Sequence, residues 1–198
     1  MKFRHWLKWR YAPPLAVLLS GKARHGKDTF GRYLKEELED KFGLKVQRIS
    51  FGDVLKNMTN YPSRNFLQQL GLILRATRGD DYLIHRAVEK YNGADVIIIT
   101  DCRFPNEISY FENMPRFTTM TFRVTRITSE GLYESDLTDK QKNHPSETAL
   151  DKWKFDFYIQ ATNVDELKEA AQSALPIVYD AWQRGFTIDS SDSYYWYP

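Results

Sequence analysis

The sequence predicts an α/β fold, a mostly parallel sheet flanked by helices. Three observations carry that prediction. An apolar run, Leu15 to Ser20, leads straight into Gly21-Lys22-Ala23-Arg24-His25-Gly26-Lys27-Asp28-Thr29, which opens a helical pattern. A second run, Val96-Ile97-Ile98-Ile99, is β-branched and continuous, as in a strand covered on both faces. Stretches of strand and helix period alternate along the rest of the chain.

The first strand is 15–20. The GxxxxGK spacing behind it is that of a phosphate-binding loop. Glycines at its first and sixth positions let the backbone curl, so that N–H groups point at phosphate oxygens. The following helix adds its N-terminal dipole. The predicted ATP-binding set is therefore Gly21, Lys22, Ala23, Arg24, His25, Gly26, Lys27, Asp28 and Thr29, with Lys27 reaching the β- and γ-phosphates. The expected fold is therefore a P-loop NTPase, the alternative being a Gly-rich turn that binds nothing. Asp28 stands where a hydroxyl usually follows the lysine; the hydroxyl arrives one place later, as the metal candidate Thr29.

The helix over 27–42 buries Phe30, Tyr33, Leu34, Leu38 and Phe42 and ends at Gly43. A strand over 45–51 follows, then Gly52 to Lys56 and a loop through Tyr61-Pro62. Helices are predicted over 64–76 and over 81–92, the second capped by Asp80. The strand from Val96 ends in Thr100-Asp101-Cys102-Arg103, and Pro105 suits the first turn of a short helix over 105–113. Residues 118–126 alternate as a strand. Residues 127–147 are polar and aperiodic, which suggests a mobile functional segment. A strand over 155–160 precedes a long helix started by Asn163 and Glu166, which Pro176 kinks or divides. Residues 1–14 and 185–198 read as peripheral; Trp6, Trp9 and Tyr11 could pack on the body or on another subunit.

At 198 residues the chain is one domain. A net charge of +2 gives no reason to expect nucleic acid or a membrane as the main partner. No apolar run approaches the roughly 18 residues of a membrane span. The basic N-terminus is followed by Pro13-Pro14 and a short apolar run that enters the glycine loop, so a signal peptide is not expected. A single cysteine, Cys102, fits a reducing cytoplasm. No Cys/His cluster has metal-ligand spacing.

Asp101, at the carboxyl end of a buried strand, can hold magnesium through water, or cap a helix instead. Arg103 should emerge at the same sheet edge. It can grip a phosphate, or pair with Glu107. Phe51, Tyr61 and Phe66 could sandwich a base, or belong to the core. Lys56 could hold a phosphate or be solvated.

The glycine loop, Ser50 to Lys56, Phe66-Leu67-Gln68-Gln69-Leu70-Gly71, Thr100-Asp101-Cys102-Arg103-Phe104-Pro105-Asn106-Glu107 and His144-Pro145-Ser146-Glu147 occur in that order. Together, over roughly 15–170, they resemble the phage-type deoxynucleoside monophosphate kinases. The resemblance implies a core (15–51, 94–126, 148–184), a monophosphate-binding region (52–93) and a lid (127–147) that closes over ATP. It implies ATP and Mg2+ as cofactors and a nucleoside monophosphate as substrate. Lys27, Asp101, Arg103 and Arg126 become the catalytic set, with Arg126 at the hinge of the lid. Phe51, Asp53, Lys56, Phe66, Gln69, Arg75, Asp81, Arg103, Glu107, His144 and Glu147 become substrate contacts, and Thr29 and Asp101 metal contacts. Glu147 follows His144 by three residues, so on a helical turn the two could face each other. Gly52 and Val54 depart from the family's more Ala- and Pro-like segment, near the expected base pocket.

The rival readings are another small P-loop kinase, similar to a dephospho-coenzyme-A kinase, and a nucleotide-binding module without transfer activity. The accepted base, the preferred sugar and a homodimer are left open. The expected location is cytoplasmic, in a host cell if the gene is a phage's.

Overall fold

The computed structural model describes residues 13–61, 63–185 and 194–196. The aromatic residues of segment 1–12 and Tyr197 lie outside the described residues. In chain order the strands are β1 (Leu15–Ser20), β2 (Val46–Ile49), β3 (Val96–Cys102), β4 (Thr118–Thr128), β5 (Gly131–Leu132), β6 (Phe157–Ala161) and β7 (Tyr194–Trp196). The helices are α1 (Lys27–Phe42), α2 (Phe51–Lys56), α3 (Arg64–Arg78), α4 (Tyr82–Val88), α5 (Pro105–Glu112), α6 (Asp139–Lys142), α7 (Pro145–Thr148) and α8 (Val164–Arg184).

The sheet runs β2-β3-β1-β4-β6-β7, every neighbouring pair parallel, and β5 turns back antiparallel on β4. The architecture is thus α/β, with a mixed but mostly parallel sheet flanked by helices. β1 is central, and all six of its residues are buried. Its alternation serves two cores. Leu15, Val17 and Leu19 pack with α1 and α8 on one face. Ala16 and Leu18 pack with α2, α4 and α5 residues on the other. This explains why β1 and β3 read as unbroken apolar runs.

Several elements differ from the sequence reading, each for a local reason. Ser50 Oγ accepts from Asp53 N–H (3.2 Å) and nucleates α2, which the apolar period was too short to show. The N-cap of α4 is Asp81, whose side chain makes no cap, rather than Asp80; the Asp80 carbonyl accepts from Arg75 Nη1 instead (2.9 Å). α4 also ends early. Gln47 takes the Lys90 carbonyl (2.7 Å) and the Asn92 N–H (3.0 Å), which draws the chain out of the helix. α8 runs unbroken through Pro176, whose exposed position lets the carbonyl freed of its N–H partner face water. Residues 127–147 are built rather than irregular: they finish β4 and contain β5, α6 and the start of α7. The tail expected to be peripheral adds β7 beside β6.

No helix among the described residues is long and apolar enough to cross a membrane.

Candidate active site

Parallel strands deliver their carboxyl ends to one edge of the sheet, and the loops after β1, β2 and β3 meet there. The chain leaves β1 at Ser20 and turns through 21–26 into α1. Two glycines fix the path. A Cβ at Gly21 would collide with the carbonyl oxygen of Val124. Gly26 sits at φ 89°, and its Cβ would lie 2.6 Å from Leu167 Cδ1. Arg24 is left-handed too (φ 62°) and not a glycine, so the loop stores backbone strain. Gly26 gives α1 no side-chain cap, so nothing from the N-cap covers the first-turn N–H groups.

His25 braces this loop. Its ring is buried, and Nδ1 accepts the Arg126 backbone N–H (3.1 Å). Burial is the main influence that pulls its pKa below the ordinary value; a hydrogen bond to the Tyr133 backbone works against it, while Arg123, Lys27 and Lys22 reinforce it. The ring is therefore neutral at pH 7.

Lys27 is 6% exposed. Burial lowers its ammonium pKa first, Arg103 lowers it further, and Asp28, Asp101 and Glu147 raise it. It opens onto a cleft of about 370 Å3 between the glycine loop, α2, α3 and the end of β3. Arg48, Lys56, Arg64, Arg75 and Arg103 also line this cleft, as do the carboxylates of Asp28, Asp101, Glu107 and Glu147, so cationic residues outnumber acidic ones by six to four.

Asp101 faces the same cleft and is already engaged. Oδ1 accepts from Phe51 N–H (3.0 Å), and Oδ2 accepts from Ser50 Oγ (2.8 Å) and Gly52 N–H (2.6 Å). Of the two alternatives offered for this residue, the helix-capping one is what these contacts show, since the carboxylate holds the start of α2. A carboxylate has about four acceptor positions. Three are used, so one remains on Oδ1.

Glu107 is 2% exposed and forms an ion pair with Arg75, itself 8% exposed. Its other oxygen accepts the backbone N–H of Arg103 (2.6 Å) and of Phe104 (3.0 Å). Burial pushes the carboxyl up to about 7, against the pull of Arg75 and the two N–H groups. Arg75 also lies over the Phe104 ring, 4.2 Å from its centroid. The predicted Arg103–Glu107 pairing therefore runs through the Arg103 backbone. The Arg103 guanidinium turns instead to the Ser146 carbonyl (2.9 Å) and to Glu147.

Glu147 is buried at the centre of this arrangement. It accepts from Ala23 N–H (3.0 Å), Arg64 Nη2 (2.5 Å) and Arg103 Nη1. Burial is its largest single influence and pushes the carboxyl up. Arg103, Arg64 and the Ala23 N–H together outweigh it and hold the pKa below the usual range. No side-chain hydrogen bond joins His144 to Glu147, although Glu147 works against the burial that lowers the His144 pKa. Pro145 begins α7, so His144 is its extended N-cap, and its Nδ1 accepts the Ser146 N–H (3.1 Å). Burial lowers the His144 pKa.

A second cavity, about 480 Å3, lies across the glycine loop, between Lys22, His25, Arg123, Tyr133 and Lys142.

The cleft thus gathers Lys27, Asp28, Phe51, Lys56, Arg75, Asp101, Arg103, Glu107, His144 and Glu147 from the predicted set. Other predicted residues lie off it. Thr29 is two helical positions past Lys27, so it points away and Asp28 takes the rim. Asp53 is occupied by Arg48 (3.2 Å) and Lys56 (3.0 Å). Phe66 is 43% exposed and Gln69 is exposed, because Leu67, Gly71 and Arg75 form the inward stripe of α3. Tyr61 is 76% exposed, so no Phe51–Tyr61–Phe66 sandwich forms. Asp81 accepts from Asn106 Nδ2 (2.9 Å) behind the site. Arg24 pairs with Asp136 at the surface (2.5 Å). Arg126 is exposed, its guanidinium 4.3 Å over the Tyr133 ring.

Sequence reasoning missed Arg48, Arg64 and Gln68 as lining residues. Arg64 had a signal. It opens α3 behind the N-cap Ser63, where a cation runs against the helix dipole, and such local conflicts mark sites.

No family model and no curated protein matches the chain. Among solved structures, a "putative kinase" from Chloroflexus aurantiacus J-10-fl aligns at TM-score 0.46 and 13% identity, over 84% of this chain and 98% of that one. A DUF1611 family protein from Anabaena variabilis ATCC 29413 aligns at TM-score 0.33 and 13% identity, over 87% of this chain and 52% of that one. At these values the likeness is coarse, and a function for this chain has to be argued from the site itself.

Proposed function

We propose that the protein is a phosphotransferase that moves the γ-phosphoryl of ATP to a (deoxy)nucleoside monophosphate. The observation that carries this is Lys27. Its ammonium is buried at an uncapped helix N-terminus and opens onto a cleft lined by five further cations against four carboxylates. The excess of cations suits a negatively charged phosphate ligand.

In this reading the glycine loop holds the donor's phosphates. Lys27 neutralises charge that shifts toward the β–γ bridge during transfer. Arg103 and Arg64 steady the two phosphates against each other, and the walls from α2 and α3 enclose the acceptor. The core (15–51, 94–126, 148–184), monophosphate region (52–93) and lid (127–147) are part of the same proposal.

The residues fit a magnesium ion held mainly by phosphates and water. Asp101 would reach it through a water on its spare Oδ1 position, and Asp28 lies at the rim. The ion would supply charge neutralisation at the bridging oxygens. Asp101→Asn is expected to damage magnesium-dependent activity more than Asp28→Ser, because Asp28 is 62% exposed and meets only Arg48 and, at 3.9 Å, Lys27. A magnesium titration with the opposite order would refute this assignment.

The deciding experiment is a coupled ADP-release assay across the deoxynucleoside monophosphates, their ribose counterparts and dephospho-coenzyme A. Acceptor-dependent release with a nucleoside monophosphate is expected. Release with dephospho-coenzyme A alone would move the protein to another kinase class. ATP binding with no acceptor-dependent release would leave a binding module.

A further inference from the structure

The carboxylate of Glu147 is held by three donors of different origin. One is a backbone N–H of the glycine loop, Ala23, and the others are the guanidiniums of Arg64 and Arg103. A curled-loop N–H joined by two arginines is a donor set suited to phosphoryl oxygens. The Glu147 side chain is 2% exposed there.

Two further facts concern the same spot. Among the described residues Glu147 alone lines both cavities, the cationic cleft and the second cavity beside Lys22 and His25. It is the partition between them. Beside it, Arg64 Nε and His144 Nε2 are buried without a hydrogen-bond partner. His144 Nδ1 meets both the Ser146 N–H (3.1 Å) and the Ser146 Oγ (2.9 Å); with the N–H donating to Nδ1, the ring's proton belongs on Nε2, and both orphan atoms are then donors. One carboxylate, with two oxygens, leaves these donors unused. A phosphoryl group has three.

We propose that Glu147 is a resident stand-in for a phosphoryl group, and that a polyphosphate enters by displacing it from Ala23, Arg64 and Arg103. The inference takes its direction from the phosphoryl-transfer reading, but its test requires no turnover. Glu147 rides on α7, a four-residue helix, so its withdrawal needs only a small element to move. Until then its charge keeps the arginines paired and the two cavities apart. A brace that stays in place would instead be reinforced by a ligand.

Inorganic tripolyphosphate is the probe, titrated calorimetrically into the full chain. Glu147→Gln keeps the side chain's size and removes the competing charge. Its affinity for tripolyphosphate should exceed that of the unaltered protein by about tenfold or more. Equal or weaker binding, or none to either protein, overturns the proposal. Hydrogen exchange on the unaltered protein tests it independently of how the variant folds. Tripolyphosphate should slow exchange over 21–28 and speed it over 145–150. Unchanged or slower exchange over 145–150 overturns displacement. If exchange responds as expected while no nucleoside monophosphate is phosphorylated, the displacement stands and the proposed reaction falls. Turnover without that exchange response keeps the reaction and overturns the displacement.

Discussion

Lys27→Met is expected to lower kcat by a factor on the order of 10² or more while the protein stays folded. Methionine reproduces most of the lysine stem, so the packing around the 6%-exposed side chain is kept. What goes is a charge whose burial is already unfavourable, as its lowered pKa records. Folding therefore loses little when the charge is removed. In the proposed reaction the transition state would lose a cation near the oxygen where charge accumulates. Single-turnover kinetics and a thermal melt read the two effects separately. Near-normal turnover would sink the phosphotransferase reading.

Arg75→Met should destabilise the fold by about 3–5 kcal/mol, the usual result of taking one partner from a buried ion pair. Glu107 would keep two backbone N–H donors and lose its cation. The defect should also depend on pH, with a definite sign. Burial raises the Glu107 carboxyl from 4.5 to about 7 even with Arg75 present. A raised carboxyl contributes stability below its unfolded pKa and loses it as pH rises through the folded one. Without Arg75 that loss deepens. Urea melts should therefore show a larger defect at about pH 8 than at about pH 5. An equal defect at both would mean that packing on Phe104, not the ion pair, is what Arg75 contributes.

The parts legible in the sequence were those fixed by neighbours in the chain. β1 and β3 stood out because strands buried on both faces are continuous apolar runs. Lys27, Asp101 and Arg103 followed from loop and strand-end positions, which sequence order alone sets. The partners of Glu147 could not be read this way. They lie 44, 83 and 124 residues away, at Arg103, Arg64 and Ala23, and no local period links them. Against the burial that lowers the His144 pKa, Glu147 does push it up, as the spacing suggested, but no hydrogen bond forms, because spacing sets a direct contact only inside a helix. Pro145 places His144 just outside one, at φ −66° and ψ 142°. Phe66 failed for a related reason: the apolar set of α3 was visible, but which of its residues faced inward depended on the elements packed around it.

The two glycine contacts have a consequence in time. Gly21 closes against Val124, and Gly26 against Leu167, so a loop near the start of the chain is moulded by residues made more than a hundred positions later. During synthesis the motif leaves the ribosome before the walls that give it shape. If the loop binds nucleotide as proposed, that affinity should arise abruptly once α8 has emerged and docked, and nascent chains stalled before Leu167 should not be retained on an ATP resin. The moulding makes the last long helix a checkpoint on the first loop.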